Sequence, residues 1–170
     1  LDDRWNLALS LNSLGLVESL HGNRNGASDC LREALDLWRV FGNKENLAEW
    51  LAVVATLSAI TQAPRRAARL FGAAEALRSD IGHAFVLPDA RFFAEAERAS
   101  HEALGELAFQ AEHRAGRALP LDQAVEEAEV VLSGSPEEAI PSWDQGKPSS
   151  APPLEHRLPR ISRADDARIG

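Results

Sequence analysis

The sequence repeats a set of small and apolar residues at a fixed spacing of 40 positions. The two copies are Leu7, Ala8, Leu11, Ala27, Ala34, Leu37 and Gly42, then Leu47, Ala48, Leu51, Ala67, Ala74, Leu77 and Gly82. Self-similarity at one period is typical of stacked repeat architectures, in which neighbouring units bury each other's apolar faces. The spacing therefore predicts a stacked helical array, a class of structure that usually binds partners.

Apolar residues at helical spacing predict an all-α fold for residues 1–132, without strands. The predicted helices lie near residues 3–21, 26–41, 45–61, 64–81, 89–103, 105–115 and 120–132. The short connections between them predict antiparallel helical hairpins, and we expect the last three helices to cap the open end of the stack. Residues 133–170 contain six of the nine prolines, among serines and glycines, and are predicted to form a disordered tail.

The charge of the chain argues against several classes of partner. A net charge of −8 and an isoelectric point near 5.1 disfavour nucleic acid and anionic membranes, which need a basic surface. The single cysteine, Cys30, excludes an intramolecular disulfide. Residues at the start of this sequence lack the basic segment and apolar core of a signal peptide, and no apolar run is long enough to span a membrane, so we expect neither. We expect a cytoplasmic protein. Because the repeat pattern is already present at Trp5, we also expect this sequence to be a piece of a longer polypeptide.

Candidate reaction centres are weak, so we expect neither an enzyme nor a bound cofactor or metal. The five histidines are never four residues apart, the spacing at which a helix would offer two as metal ligands. Glu97 and His101 are spaced to meet across a helical turn as an acid and a base, although a solvated helix face accounts for the same residues. An arginine cluster, Arg65, Arg66 and Arg69, fits either an anionic partner surface or a solvated face.

The four tryptophans fall into two groups. Trp5, Trp38 and Trp50 lie within the repeats, where packing is the expected role. Trp143 stands alone in a polar, proline-rich segment. Three interpretations remain for it: a short docking motif, a contact that folds back on the helices, or a residue without a role.

Two resemblances to known families follow from particular motifs. Leu11-x-x-Leu14-Gly15, followed by Gly22, Ala27, Leu31 and Ala34, resembles a tetratricopeptide repeat, with Ala55, Ala67, Phe71 and Ala74 in the second copy. The segment 65–78 is similar to the C-terminal repeat region of large bacterial regulators. The similarity extends through Ile81-Gly82, Leu87-Pro88, Ala103-Leu104-Gly105, Phe109, Gly116-Arg117-Ala118-Leu119 and Gln123-Ala124-Val125.

Those regulators combine an AAA-like or STAND-type ATPase, a tetratricopeptide region and often a LuxR-type helix-turn-helix. The resemblance implies a non-catalytic arm that receives a partner or inducer and controls the other domains. This chain has neither the phosphate-binding loop of the ATPase nor a helix-turn-helix after residue 132, so direct DNA binding is not expected of it.

The tetratricopeptide resemblance also implies a partner surface, because the first helix of each hairpin lines the concave face of such arrays. The implied residues are Leu9, Asn12, Leu16, Ser19, Glu49, Ala52 and Thr56. Their mixed chemistry suits a peptide or protein segment, or other domains of the same polypeptide. Self-association through the exposed N-terminal hairpin is a further expectation. A module that senses a small-molecule inducer and a free-standing adaptor remain as alternatives.

Overall fold

The computed structural model describes residues 2–81 and 90–134, which form seven helices and no strand. The helices are α1 Asp2–Leu20, α2 Arg24–Phe41, α3 Lys44–Ile60, α4 Pro64–Ile81, α5 Ala90–Leu104, α6 Glu106–Arg117 and α7 Leu121–Leu132. The predicted all-α array of helical hairpins is confirmed. Gly82, His83, Leu87, Pro88, Trp143, His156 and the predicted tail beyond residue 134 lie outside the described residues.

The first two hairpins turn in the same way, 40 residues apart. Gly22 has a φ of 75° and Gln62 a φ of 64°, so both turns use a left-handed residue at the same register position. The backbone N–H groups that follow also correspond, since Asn23 donates to Glu18 O at 2.9 Å and Ala63 donates to Ser58 O at 2.9 Å. A left-handed conformation costs glycine little but is uncommon for glutamine. The repeat in sequence is thus a repeat in backbone structure.

Asparagine caps and a left-handed glycine set the boundaries of α2 and α3. The side-chain oxygens of Asn23 and Asn43 accept hydrogen bonds from Gly26 N and Asn46 N, each at 3.1 Å. These bonds satisfy N–H groups that have no partner within the first turn of a helix. Gly42 ends α2 with a φ of 63°, and its N–H donates to Trp38 O. Two residues therefore suffice to reverse the chain between these helices.

Helix α3 lies at the centre of the molecule. Every residue from Trp50 to Ile60 is buried, and α3 contacts α1, α2, α4, α5 and α7. Its sequence is apolar on all sides, which is typical of a helix surrounded by other helices. The core thus forms around α3 instead of along one open groove.

The last three helices do more than cap one end of the stack. Helix α5 packs against α3 and α4, as α3 packs against α1 and α2. Helix α6 crosses α4 closely, because Gly72 lies against the backbone of His113, and Gly116 against that of Arg69. Helix α7 then returns to contact α2, α3 and α4. The C-terminal end of α7 is thereby brought back to the first hairpin.

The tryptophans of the repeats pack as predicted. Trp38 and Trp50 are fully buried, and the rings of Trp5 and Trp38 meet edge to face with 5.3 Å between their centroids. The indole N–H of Trp50 donates to Leu31 O of α2 at 2.8 Å. This bond fixes which side of α3 faces α2.

Candidate functional site

Helix α1 exposes a stripe of apolar side chains on the side away from the core. Leu7, Leu14 and Val17 are 43, 46 and 38% exposed. Together with Ser10 they follow the helical spacing i, i+3, i+7 and i+10, so they share one face. We call these four residues the α1 stripe. Scattered apolar residues are normal on a surface, but several on one helix face mark an interaction site.

The structure places most of the predicted concave-face residues inside the array. Five of the seven are buried: Asn12, Leu16, Ser19, Ala52 and Thr56. The hydroxyls of Ser19 and Thr56 donate hydrogen bonds to the carbonyls of Gly15 and Ala52, at 2.7 and 2.9 Å. Only Leu9 and Glu49 are partly exposed. The residues of α3 are mostly buried because five other helices contact it. Partner binding by these seven residues stays a prediction. The exposed apolar surface on α1 is the α1 stripe, which contains none of them.

Sequence reasoning placed Leu7 and Leu14 on one stripe of the first helix and expected the N-terminal hairpin to be exposed, but it named other residues as the partner surface. Helix α1 carries leucines on more than one side, which indicates two neighbours for an inner helix. The structure assigns one of these sides to the hairpin with α2 and leaves the other at the surface.

A polar cluster lies where α4, α5 and α6 meet. His113 Nε2 is 3.2 Å from Glu75 Oε2 and 3.5 Å from Glu97 Oε1, and Arg117 Nη1 is 2.5 Å from the other oxygen of Glu75. The ring of Phe109 lies between the two histidines, 4.8 Å from His101 and 5.6 Å from His113 between centroids. We call this group the His113 cluster. It could not be read from sequence spacing because its members come from three helices.

The structure does not pair Glu97 with His101 across a helical turn as predicted. His101 Nε2 lies 2.6 Å from Glu106 Oε2, and Glu97 instead contacts His113, because α6 brings that ring against α5. Burial raises the pKa of the Glu97 carboxyl, and Glu75 adds to this, whereas His113, Arg78 and His101 act in the opposite direction. A partly buried carboxyl beside a histidine can exchange a proton, and the contacts of the His113 cluster also join α4, α5 and α6.

Two arginines of the cluster on α4 form ion pairs with glutamates of α6 and α7. Arg69 contacts Glu112 at 2.5 Å and Glu127 at 3.1 Å, and Arg65 contacts Glu112 at 3.0 Å. Burial raises the pKa of Glu127 in spite of the neighbouring arginine charges. Arg65 and Arg69 are therefore partly buried and paired within the protein, instead of forming the expected anionic-partner surface or solvated face, and for Arg66 that expectation stays a prediction. Their charges join α4 to α6 and α7, because the fold brings two glutamates from distant sequence against them.

Three arginines of α2 hold the C-terminal end of α7. Arg24 donates to Val131 O at 3.4 Å, Arg32 donates to Leu132 O, and Arg39 pairs with Glu129 at 3.1 Å. The last carbonyls of a helix lack partners within the helix and carry partial negative charge, so cations stabilise them. Helix α7 has no basic residue in its own last turn, and α2 supplies these charges instead.

Cys30 and the remaining metal-ligating side chains are predicted to have no chemical role. Burial raises the pKa of the Cys30 thiol, with further contributions from Glu18, Asp29 and Glu33, which disfavours a reactive thiolate. Within residues 2–81 and 90–134, no three His, Cys, Asp or Glu side chains are arranged to hold a metal ion. In the same part of the chain, no helix combines the length and apolar character needed to cross a membrane.

Comparison of the chain with protein-family models, with curated proteins and with solved structures finds no match in any of the three.

Proposed function

We propose that this chain is a non-catalytic interaction and signal-relay module, the tetratricopeptide-like arm of a cytoplasmic bacterial transcriptional regulator. The observation that carries the proposal is the α1 stripe, a partly exposed apolar face at one end of a helical array. Covering such an apolar surface with a partner removes it from water, which favours binding. In this proposal the ATPase and the DNA-binding part belong to other domains of the polypeptide.

The packing of α7 suggests how a signal could pass along the module. Helix α2 contacts α1 through the first hairpin and also holds the last turn of α7 through Arg24 and Arg32. A partner bound to α1 therefore acts on a hairpin that also contacts the last turn of α7. Relay through α2 needs no reacting group, which agrees with the use of the charged clusters as links between helices.

The reading frame around this chain tests the regulator assignment. We expect a phosphate-binding loop encoded upstream in the same frame and a helix-turn-helix encoded downstream. A frame that encodes this helical array and nothing else would overturn the assignment to a regulator and leave a free-standing adaptor.

Transcription measured with the whole regulator tests the relay. Replacing Leu7 and Leu14 by serine is expected to abolish the response to the inducing signal while DNA binding persists. The control is Val40→Ser, which removes an isolated exposed side chain of α2 and is expected to leave the response intact. An unchanged response in the Leu7→Ser, Leu14→Ser variant would contradict the proposed role of α1.

A further inference from the structure

The occupant of the α1 stripe can be inferred from the second hairpin, because the two first helices correspond residue by residue. Forty positions after Leu7, Ser10, Leu14 and Val17 come Leu47, Trp50, Val54 and Leu57 on α3. The exposures of Leu47, Val54 and Leu57 are 7, 0 and 1%, against about two-fifths for their counterparts on α1. The same helix face is thus covered in one repeat and open in the other.

The preceding hairpin covers the centre of the α3 face. Trp50 lies in the middle of that face, and its indole N–H donates to the Leu31 carbonyl of α2. Helix α3 also contacts α1, so both helices of the preceding hairpin pack against it, while α4, α5 and α7 contact α3 as well. Because the turns of the two hairpins have the same geometry, the α1 stripe is presented in the same way as the covered stripe on α3.

We propose that the α1 stripe is the docking site of another helical hairpin of the α1–α2 type, located directly before α1 in the same polypeptide. The direct connection follows from the second repeat, where only Gly42 and Asn43 separate the covering helix from the covered one. This inference rests on the proposed function, for which it names the partner at α1.

A second copy of this chain cannot repeat the α2–α3 contact at the stripe. The face of α2 that covers Trp50 is already occupied by α3, and the corresponding helix of the next hairpin, α4, is covered by α5. Every copy therefore uses these faces within itself. A separate hairpin with a free second helix can repeat the contact.

Ser10 specifies one property of the occupant. It stands where α3 has Trp50, and its hydroxyl donates to Asn6 O of its own helix at 2.8 Å. The stripe therefore has a small residue between Leu7, Leu14 and Val17, where α3 has a large one. We expect the docked helix to fill this position with a bulky apolar side chain.

A tandem variant tests the docking directly. Residues 4–43 are inserted once ahead of Arg4, so that the copied Gly42 and Asn43 precede Arg4 as the native pair precedes Lys44. If the copied α2 covers the α1 stripe, the urea midpoint rises by about 1 M or more. Leu14→Asp in the native copy of α1 is then expected to abolish that rise.

The parent chain supplies the matched control. Leu14→Asp in the parent is expected to shift the midpoint by less than about 0.3 M, because Leu14 is partly exposed there. Ser10→Trp in the native copy is expected to raise the midpoint of the tandem variant further, since it supplies the donor that Trp50 uses. An insert that leaves the midpoint unchanged, or an equal effect of Leu14→Asp in both chains, would overturn the proposal.

The flanking reading frame separates this inference from the proposed function. We expect small or apolar residues encoded 40 positions before Ala27, Leu31, Ala34 and Leu37, as they recur 40 positions after them. An upstream ATPase without such a hairpin refutes the docking proposal and leaves the regulator assignment standing. A hairpin without ATPase or helix-turn-helix refutes the regulator assignment alone.

Discussion

At the scale of single residues, the crossing of α4 and α6 depends on two glycines. A Cβ atom added at Gly116 would overlap the backbone carbonyl of Arg69, and one added at Gly72 would overlap the carbonyl of His113. Backbone atoms cannot rotate away as a side chain does, so the helices would have to separate. The two glycines thereby allow α6 to lie against α4 over much of its length.

Gly116→Ala is therefore expected to destabilise the protein by about 2 kcal/mol or more, in spite of the better helix propensity of alanine. Gly26→Ala is the comparison, since its Cβ would meet side chains, those of Asn23 and Glu18, and not a backbone carbonyl. Any loss there is limited to the Asn23 cap, about 1 kcal/mol. Urea unfolding followed by circular dichroism measures both. Equal stability of the two variants would contradict the close crossing.

Glu97 gives a prediction about pH, because burial raises its pKa above the ordinary value of 4.5. Folding then favours the protonated carboxyl. The stabilising contribution is complete below pH 4.5 and is lost as the pH rises through the raised pKa. Glu97→Gln is accordingly expected to be more stable than the natural protein at pH 7, with the difference vanishing near pH 4.

Thermal unfolding between pH 4 and pH 7 checks this expectation. Glu126→Gln, at an exposed position of α7, reports the effect of removing one negative charge alone. If both variants gain the same stability at pH 7, burial of Glu97 is not the cause. A loss of stability in Glu97→Gln at pH 7 would show that the contact with His113 outweighs the desolvation.

At the scale of elements, Arg69 holds three helices together. Its guanidinium lies on α4, while Glu112 and Glu127 belong to α6 and α7 and keep only 14 and 16% of their side-chain surface exposed. A carboxylate that is mostly removed from water is costly when its partner is lost. The same arginine would contribute little if its pairs lay in solvent.

Arg69→Leu is expected to cost about 2–4 kcal/mol in the free energy of unfolding, because both glutamates stay buried without this partner. Arg39→Leu removes pairs with Asp36 and Glu129 that are largely exposed, and is expected to cost less than about 1 kcal/mol. Chemical denaturation measures the two values. Replacing Glu112 and Glu127 by glutamine in the Arg69→Leu background should restore part of the loss, and failure to do so would reject the explanation.

At the scale of the whole molecule, α7 makes the array cooperative. Stacked repeats contact mainly their neighbours and can unfold in parts. Here α7 joins the last residues of the helical region to both hairpins, and Val131 and Leu132 are buried in the common core. We therefore expect one unfolding transition, with tryptophan fluorescence and circular dichroism coinciding in a Trp143→Phe background.

Val131→Asp is expected to lower the stability reported by both probes by about 3 kcal/mol or more, since it places a charge in the core. Val130→Asp, one residue earlier and partly exposed, should change either value by less than about 1 kcal/mol. The remaining fluorescent tryptophans belong to the first three helices. A fluorescence transition that is insensitive to Val131→Asp would therefore show that α7 does not support the first hairpin.

The sequence by itself determined the helices and their pairing. Apolar periodicity acts within one or two helical turns, and the 40-residue register is visible in the order of residues alone, so both can be recognised without the fold. The same local signals predicted the packing of Trp5, Trp38 and Trp50. The asparagine caps were not recognised, and the predicted helices at 26–41 and 45–61 therefore began one or two residues late.

Only the tertiary structure decided which surfaces are open and which charges are paired. The return of α7, the close approach at Gly72 and Gly116, and the pairing of Arg69 join residues more than 40 positions apart. No local pattern specifies such contacts, because they depend on how whole helices are placed. For the same reason the predicted concave-face residues proved mostly buried, while the α1 stripe remained at the surface.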